Sequence, residues 1–393
     1  MNFKTLILTL AIASAAVGNA AGPLITIVKQ GMQRTAITIE TSAASPAQKA
    51  YNACLERNLK LSGAFVVGKN GSVKVTGVPG AGVSATGKGK KVASNAAFAD
   101  EKEARMAARR FADALVQNFA DVPSKGFAQD RLVFVNRLGS DNADMYTAYA
   151  DGMDMRCISR EGHAVVGPRW APNGTDIYYT GFLEGTALIY RLDTLTGRRS
   201  KLAPFKGTAT GAAISPDGTK AALILSFQGN PELYIMDLGT KRVKRITRTK
   251  GAAEASPSWS PDGTKIAYVS DETRQPQIYI YDVNTEKTVR FTRTGTQNTN
   301  PEYSPQGLLA WATKRGGVNY IAVAEPAKGE GAARLVTDGG SWEHPSWASD
   351  GRHIAASRDN AIFIIDTDPE ADTKPVQLFR NAGNWMTPAF TRR

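Results

Sequence analysis

One stretch of this chain is rewritten at a fixed interval. Pro257-Ser258-Trp259-Ser260-Pro261-Asp262-Gly263-Thr264-Lys265 is preceded by Pro168-Arg169-Trp170-Ala171-Pro172-Asn173-Gly174 and by Ile214-Ser215-Pro216-Asp217-Gly218. It is followed by Pro301-Glu302-Tyr303-Ser304-Pro305-Gln306-Gly307 and Pro345-Ser346-Trp347-Ala348-Ser349-Asp350-Gly351. The turn glycines stand at 174, 218, 263, 307 and 351, spacings of 44, 45, 44 and 44 residues. A fixed period of this size signals a repeat architecture, in which each unit buries its apolar face only against its neighbours.

Each period reads as four short strands. In the copy at 257 these are 257–260, 265–270, 277–283 and 288–292. Pro-Asp-Gly supplies the first turn: proline pre-sets φ, aspartate bonds the local backbone, and glycine tolerates a positive φ. Four antiparallel strands per repeat make a β-propeller blade. The large residue of each first strand counts the blades: Trp170, Ile214, Trp259, Tyr303, Trp347 and Phe390, hence six. No room for a blade follows Phe390, whereas 132–135, 145–149 and 156–159 read as second, third and fourth strands without a first. Residues 388–391 are therefore expected to pair with 132–136 and close the ring, leaving no unpaired edge.

Upstream, Lys4, the apolar run 6–17 and Gly18-Asn19-Ala20 read as a secretory signal peptide. The expected division is signal peptide 1–21, a small α/β domain 22–125 and a propeller 126–393. No later run reaches the roughly 18 apolar residues of a membrane span. In the small domain, 24–28 and 36–40 read as a strand pair. Ser45-Pro46 opens a helix striped by Ala50, Cys54, Leu55 and Leu59. Asp100 opens a second, with Ala104, Ala108, Phe111, Leu115 and Phe119 at helical spacing. Between them Gly82-Val83-Ser84-Ala85-Thr86-Gly87-Lys88 matches the start of a phosphate-binding loop, but Gly89 stands where Ser or Thr should hold magnesium. A hairpin or linker is the reading.

The chain carries a formal charge of +12. Its densest basic run, 241–248, falls on a fourth strand, at the outer rim, where charge protects a strand edge. The export signal argues against a nucleic-acid partner. Export also permits a disulfide between Cys54 and Cys157, and two buried free thiols fit as well. The carboxylates Asp217, Asp262 and Asp350 recur once per blade, as do Asp193, Asp237, Asp282, Glu325 and Asp366 at third-strand ends. Turn chemistry accounts for both sets. His163 and His344 enter first strands. A metal held there would suit a propeller enzyme acting on envelope polysaccharide, the alternative function. No Gly-x-Ser-x-Gly elbow occurs. No catalytic constellation, cofactor or metal site is expected.

Signal peptide, small α/β domain and six Ser-Pro-Asp-Gly blades together resemble the TolB family of the Tol–Pal cell-envelope system. Pro231-Glu232-Leu233-Tyr234-Ile235-Met236-Asp237-Leu238, Gln275-Pro276-Gln277-Ile278-Tyr279 and Gly126-Phe127-Ala128-Gln129-Asp130-Arg131-Leu132 sharpen the resemblance. It implies a periplasmic, non-enzymatic interaction protein, expected as a monomer. Such proteins bind the peptidoglycan-associated lipoprotein Pal at the propeller mouth. They signal to the inner-membrane protein TolA through an N-terminal segment, here 21–30, and support outer-membrane integrity and cell division. Bacteriocins exploit them. One departure is a shorter first domain with a glycine-rich centre.

Strand polarity places the partner. The Pro-Asp-Gly turns mark one face of the ring, so the segments entering the first strands lie on the other. Those segments offer Thr208, Glu254, Asn298, Thr299, Asn300, Trp342, Glu343, His344 and Trp385, read as exposed and polar around tryptophan, as in a binding hot spot.

Overall fold

The computed structural model describes residues 34–391 apart from 123, 140, 161, 184, 206, 227, 228, 372 and 380–382. The expected signal peptide, the strand 24–28 and the arm 21–30 lie outside the described residues.

The N-terminal α/β region runs β1 (Thr35–Thr41), α1 (Pro46–Leu61), β2 (Phe65–Val67), β3 (Val73–Val78), β4 (Gly82–Gly87), β5 (Lys90–Ser94) and α2 (Glu101–Phe119). Ser45 starts α1 with a reciprocal box: its Oγ accepts from Gln48 N at 3.2 Å while Gln48 Oε1 accepts from Ser45 N at 3.0 Å. Asp100 caps α2 by accepting from Glu103 N at 2.8 Å. The sheet order is β2-β1-β3-β4-β5, with β1 between β2 and β3 and parallel to both. The glycine-rich stretch is the hairpin β4–β5. It turns at Lys88 and Gly89, both at positive φ (49° and 71°), the geometry that matches strand twist. Lys88 Nζ is spent on Asp121 at 2.8 Å, not on a phosphate. The expected helical stripes are the core: Cys54, Leu55 and Leu59 of α1 pack with Ala104, Phe111, Leu115 and Phe119 of α2.

Six four-stranded sheets follow. Their first strands are Val165–Trp170, Ala209–Ile214, Glu254–Trp259, Gln297–Tyr303, Glu343–Trp347 and Trp385–Phe390, numbered here as blades one to six. Blade three continues through Lys265–Ser270, Gln277–Asp282 and Thr288–Arg290, close to the sequence reading. In blade six the C-terminal strand pairs with Arg131–Arg137, in register Trp385↔Asn136, Met386↔Val135, Ala389↔Val133 and Phe390↔Leu132. Ala143–Tyr149 and Arg156–Cys157 complete that blade. The ring closes as the orphan three-strand set requires. All six counting residues, from Trp170 to Phe390, are buried.

Turn carboxylates do structural work. Asp217 accepts from Ser215 Oγ at 2.6 Å and Thr219 N at 3.0 Å, and these bonds hold its carboxyl down at about 2. Asp262 repeats the arrangement with Ser260 and Thr264. Asp193, Asp237 and Asp282 each cap the next turn through backbone N–H groups at 2.7–2.8 Å. Cys54 and Cys157 are both free thiols, in different parts of the molecule.

The α/β region is seated on the Pro-Asp-Gly face, over blades five and six. Arg109 of α2, wholly buried, grips Asp151 of blade six with Nε at 2.8 Å and Nη2 at 3.1 Å. Asn58 of α1 donates to the same carboxylate at 2.9 Å, and Arg105 and Arg109 both reach Asp154. Phe127 stacks on His353 at 4.2 Å, and Leu61 joins the apolar cluster of those two blades. Gly63, φ 64°, ends the α1 segment against the propeller, where a Cβ would lie 2.4 Å from Asp366 Oδ2. Only glycine fits that backbone and that approach.

Candidate partner-binding mouth of the propeller

Antiparallel pairing within each blade puts the entering segments and the loops between second and third strands on one face, opposite the α/β region. Every first strand bulges as it enters: all six pairings with the second strand shift register. At each bulge one residue takes the left-handed conformation: Gly167, Gly211, Ser256, Asn300, His344 and Thr387, with φ between 48° and 63°. In five of the six, proline follows. A bulge of this kind bends the strand and redirects its side chains.

The bulge sorts the candidate residues. Two positions before it, Val165, Ala209, Glu254, Asn298, Trp342 and Trp385 are all buried, at 0–5% exposure. The expectation that Glu254, Asn298, Trp342 and Trp385 are exposed is therefore corrected. The cause is the junction between blades. Glu254 N donates to Pro231 O at 3.0 Å, Asn298 N to Pro276 O at 2.8 Å and Trp385 N to Asn360 O at 3.0 Å. The entering segment is thereby tucked beneath the preceding blade. Asn298 further donates to Gln277 Oε1 and Thr294 O and accepts from Trp311 Nε1 at 2.9 Å. Trp342 packs on Phe363, and Trp385 on Phe134 and Tyr146. Solvent reaches the next two positions instead: Thr299, Asn300 and His344 partly, and Glu343 over about half of its side chain. Thr208, just ahead of blade two, is exposed.

Two titratable groups at this mouth are displaced. Burial raises the Glu254 carboxyl to about 7, aided by the neighbouring Glu232 carboxylate and opposed by bonds from Ser270 and Thr249. Burial, and then the charge of Arg169, lowers His344 to about 4, so it is neutral at neutral pH. Among the described residues no group of three His, Cys, Asp or Glu side chains is placed to hold a metal ion, and His163 bonds to its neighbour's carbonyl, Ala164 O.

The sequence reading missed the channel itself. The residues before the six counting positions are Arg169, Ala213, Ser258, Glu302, Ser346 and Ala389; Ser258 is buried and the other five line the channel. Only two of these are charged, with opposite sign, three blades apart. Arg169 Nη1 meets Glu302 Oε2 at 2.9 Å across the ring. Glu302 also accepts from Ser346 Oγ at 2.9 Å and Trp347 N at 3.2 Å. This pair narrows the channel to a cavity of about 20 Å³. Beyond it, toward the Pro-Asp-Gly face, the channel widens to about 350 Å³, ringed by Pro172, Pro216, Pro261 and Pro305. The repeat alignment held the signal, since charge breaks an otherwise small-residue position.

Six closed blades carrying an α/β region on one face, with a bulged, polar mouth on the other, define a two-part β-propeller protein. The chain belongs to the TolB beta propeller domain family, which matches residues 122–391. The chain is 33% identical over 100 residues to the Tol-Pal system protein TolB of Francisella tularensis subsp. tularensis (strain WY96-3418), and equally to that of subsp. mediasiatica (strain FSC147). Each match spans 25% of this chain and 23% of the relative, so about a quarter of either length is compared. In fold it is similar to the crystal structure of TolB from Acinetobacter baumannii, with TM-score 0.79 over 93% of this chain and 98% of that one, at 23% identity. A putative TolB from Agrobacterium tumefaciens matches with TM-score 0.52 over 65% of this chain and 90% of that one, at 19% identity.

Proposed function

We propose that this chain, freed of residues 1–21, is a monomeric, non-enzymatic periplasmic protein of the Tol–Pal system that seats the lipoprotein Pal on the entering-segment mouth of its propeller. The observation that carries the reading is the placement of the α/β region. It occupies the Pro-Asp-Gly face over blades five and six, and the bulged mouth is on the opposite face. Thr208, Thr299, Asn300, Glu343 and His344 form the contact rim, while Glu254, Asn298 and Trp342 support it from beneath. Left-handed residues such as Asn300 and His344 store backbone strain, a frequent mark of ligand-binding sites. Through these contacts the protein supports outer-membrane integrity and division, and bacteriocins compete for the same mouth. Residues 21–30 would signal to a TolA-like inner-membrane protein.

The test is calorimetry with purified Pal. The pair Thr299→Ala with Glu343→Ala, both off the left-handed positions, should weaken binding by about 2 kcal/mol with the melting temperature unchanged. Equal affinity for variant and parent would move the site elsewhere. Amide exchange across 21–30, unchanged by Pal, would remove the signalling role from the arm.

A further inference from the structure

The cations of this protein are unevenly spread around the ring. Outer strands and their preceding turns form the rim, and three consecutive blades are basic there. Segment 194–203 of blade one holds Arg198, Arg199 and Lys201 and no acid. Segment 241–250 of blade two holds six cations, from Lys241 to Lys250, again with no acid. Segment 287–293 of blade three holds Lys287, Arg290 and Arg293. Most of these side chains are exposed. Lys244 and Glu286 pair across the rim at 2.5 Å, joining blades two and three. The other half of the ring differs: past the acid that ends the third strand, which blades one to three carry as well, the segments 326–337, 367–378 and 150–159 of blades four to six together hold six acids and only four cations, Lys328, Arg334, Lys374 and Arg156.

The rim also exposes apolar side chains. They occur on all six blades, as Leu335, Val376 and Met155 at 38–43% exposure on blades four to six, and on the basic blades they are Leu195 at 77%, Val243 at 38% and Val289 at 61%. Val243 stands between Arg242 and Lys244, and Val289 just before Arg290. Edge protection explains charge on a short outer strand, but it does not call for an exposed aliphatic residue amid that charge. Cations interleaved with protruding apolar groups are what an anionic bilayer surface attracts. The charges draw the protein to the headgroups, and the aliphatic groups enter the interface. Geometry agrees: a flat surface meeting a disc edge-on touches the middle blade first, and blade two carries the densest charge. In that pose neither face of the propeller is covered.

We infer that the outer rim of blades one to three docks this protein onto a bilayer surface bearing anionic phospholipid headgroups. The inference does not depend on the Pal reading, because it concerns a different surface and a different chemistry.

Flotation with liposomes tests it, using the chain from residue 22 onward. Vesicles of phosphatidylcholine alone are compared with vesicles in which part of it is replaced by phosphatidylglycerol. The parent should float only with the anionic vesicles, and added salt should release it. The rim variant Arg242→Glu/Arg248→Glu/Lys250→Glu should lose at least about tenfold in partitioning, since each cation near such a surface contributes measurably. A control with equal net charge, Lys69→Glu/Lys74→Glu/Lys102→Glu on the α/β region, should keep most of the binding. Leu195→Ser with Val289→Ser should weaken binding without altering charge, which keeps the test open if the triple variant folds poorly. Equal losses in rim and control variants would overturn the inference, as would binding to neutral vesicles or none to anionic ones. Retention on duplex DNA or on an acidic protein without vesicle binding would overturn it too.

Discussion

Glu254 shows how one buried group at the mouth sets a pH dependence. Its folded value, about 7, lies above the ordinary glutamate value of 4.5. The stability it contributes is therefore fully present below about 4.5 and is lost as pH rises through about 7. Glu254→Gln should flatten that part of the profile, read as melting temperature at pH 5 and pH 8; an unchanged slope would place the titration elsewhere. Asn298 acts without charge. Asn298→Ala removes partners from Gln277, Thr294 O and Trp311 Nε1, all in a buried site, and should cost about 2–3 kcal/mol in urea unfolding. The sequence reading took both residues for surface contacts. Polar residues at an entering segment read as exposed unless the bulge two residues later is recognised, and the Ser-Pro, Asn-Pro and His-Pro pairs that accompany it were its only trace.

At the scale of elements, the closing strand carries the ring. Trp385–Phe390 supplies the first strand of blade six and buries Trp385 and Phe390. Removing residues 385–391 strips one edge of Arg131–Arg137 and opens a core shared by blades five and six, and should lower the melting temperature sharply. A truncated chain that melts like the parent would contradict the closure. The hairpin β4–β5 teaches a different lesson. Its glycines and lysines match the start of a phosphate loop in spelling. Two consecutive positive-φ residues and a strand on either side make it a turn, and Lys88 closes on Asp121.

For the whole molecule the decisive contact joins α2 to blade six. Arg109 and Asp151 are both wholly buried, and each satisfies the other. Arg109→Ala would leave a carboxylate buried without its cation, at a cost of about 3–5 kcal/mol. Limited proteolysis should then cut the connection near 121–126 faster than in the parent. Replacing both partners by leucine should be milder, because no uncompensated charge remains. Arg109 was not read as special in the sequence: at the i+4 step from Arg105 it passes for a solvated helix position. Asp151 stands 42 residues away, in a turn of another part of the chain.

Repeats, periodicity and turn chemistry act over short distances, so the sequence alone carried the blade count, the strand order, the closure and both helices with their caps. It also oriented the two faces, since polarity follows from which turn ends which strand. Burial at the blade junctions, the Arg169–Glu302 pair across the channel and the seat of the α/β region were decided only in three dimensions. Each joins residues whose separation in the chain says nothing of their distance in space. A polar side chain is exposed or buried according to what packs over it: at the mouth that is the neighbouring blade, and at Asp151 it is the α/β region.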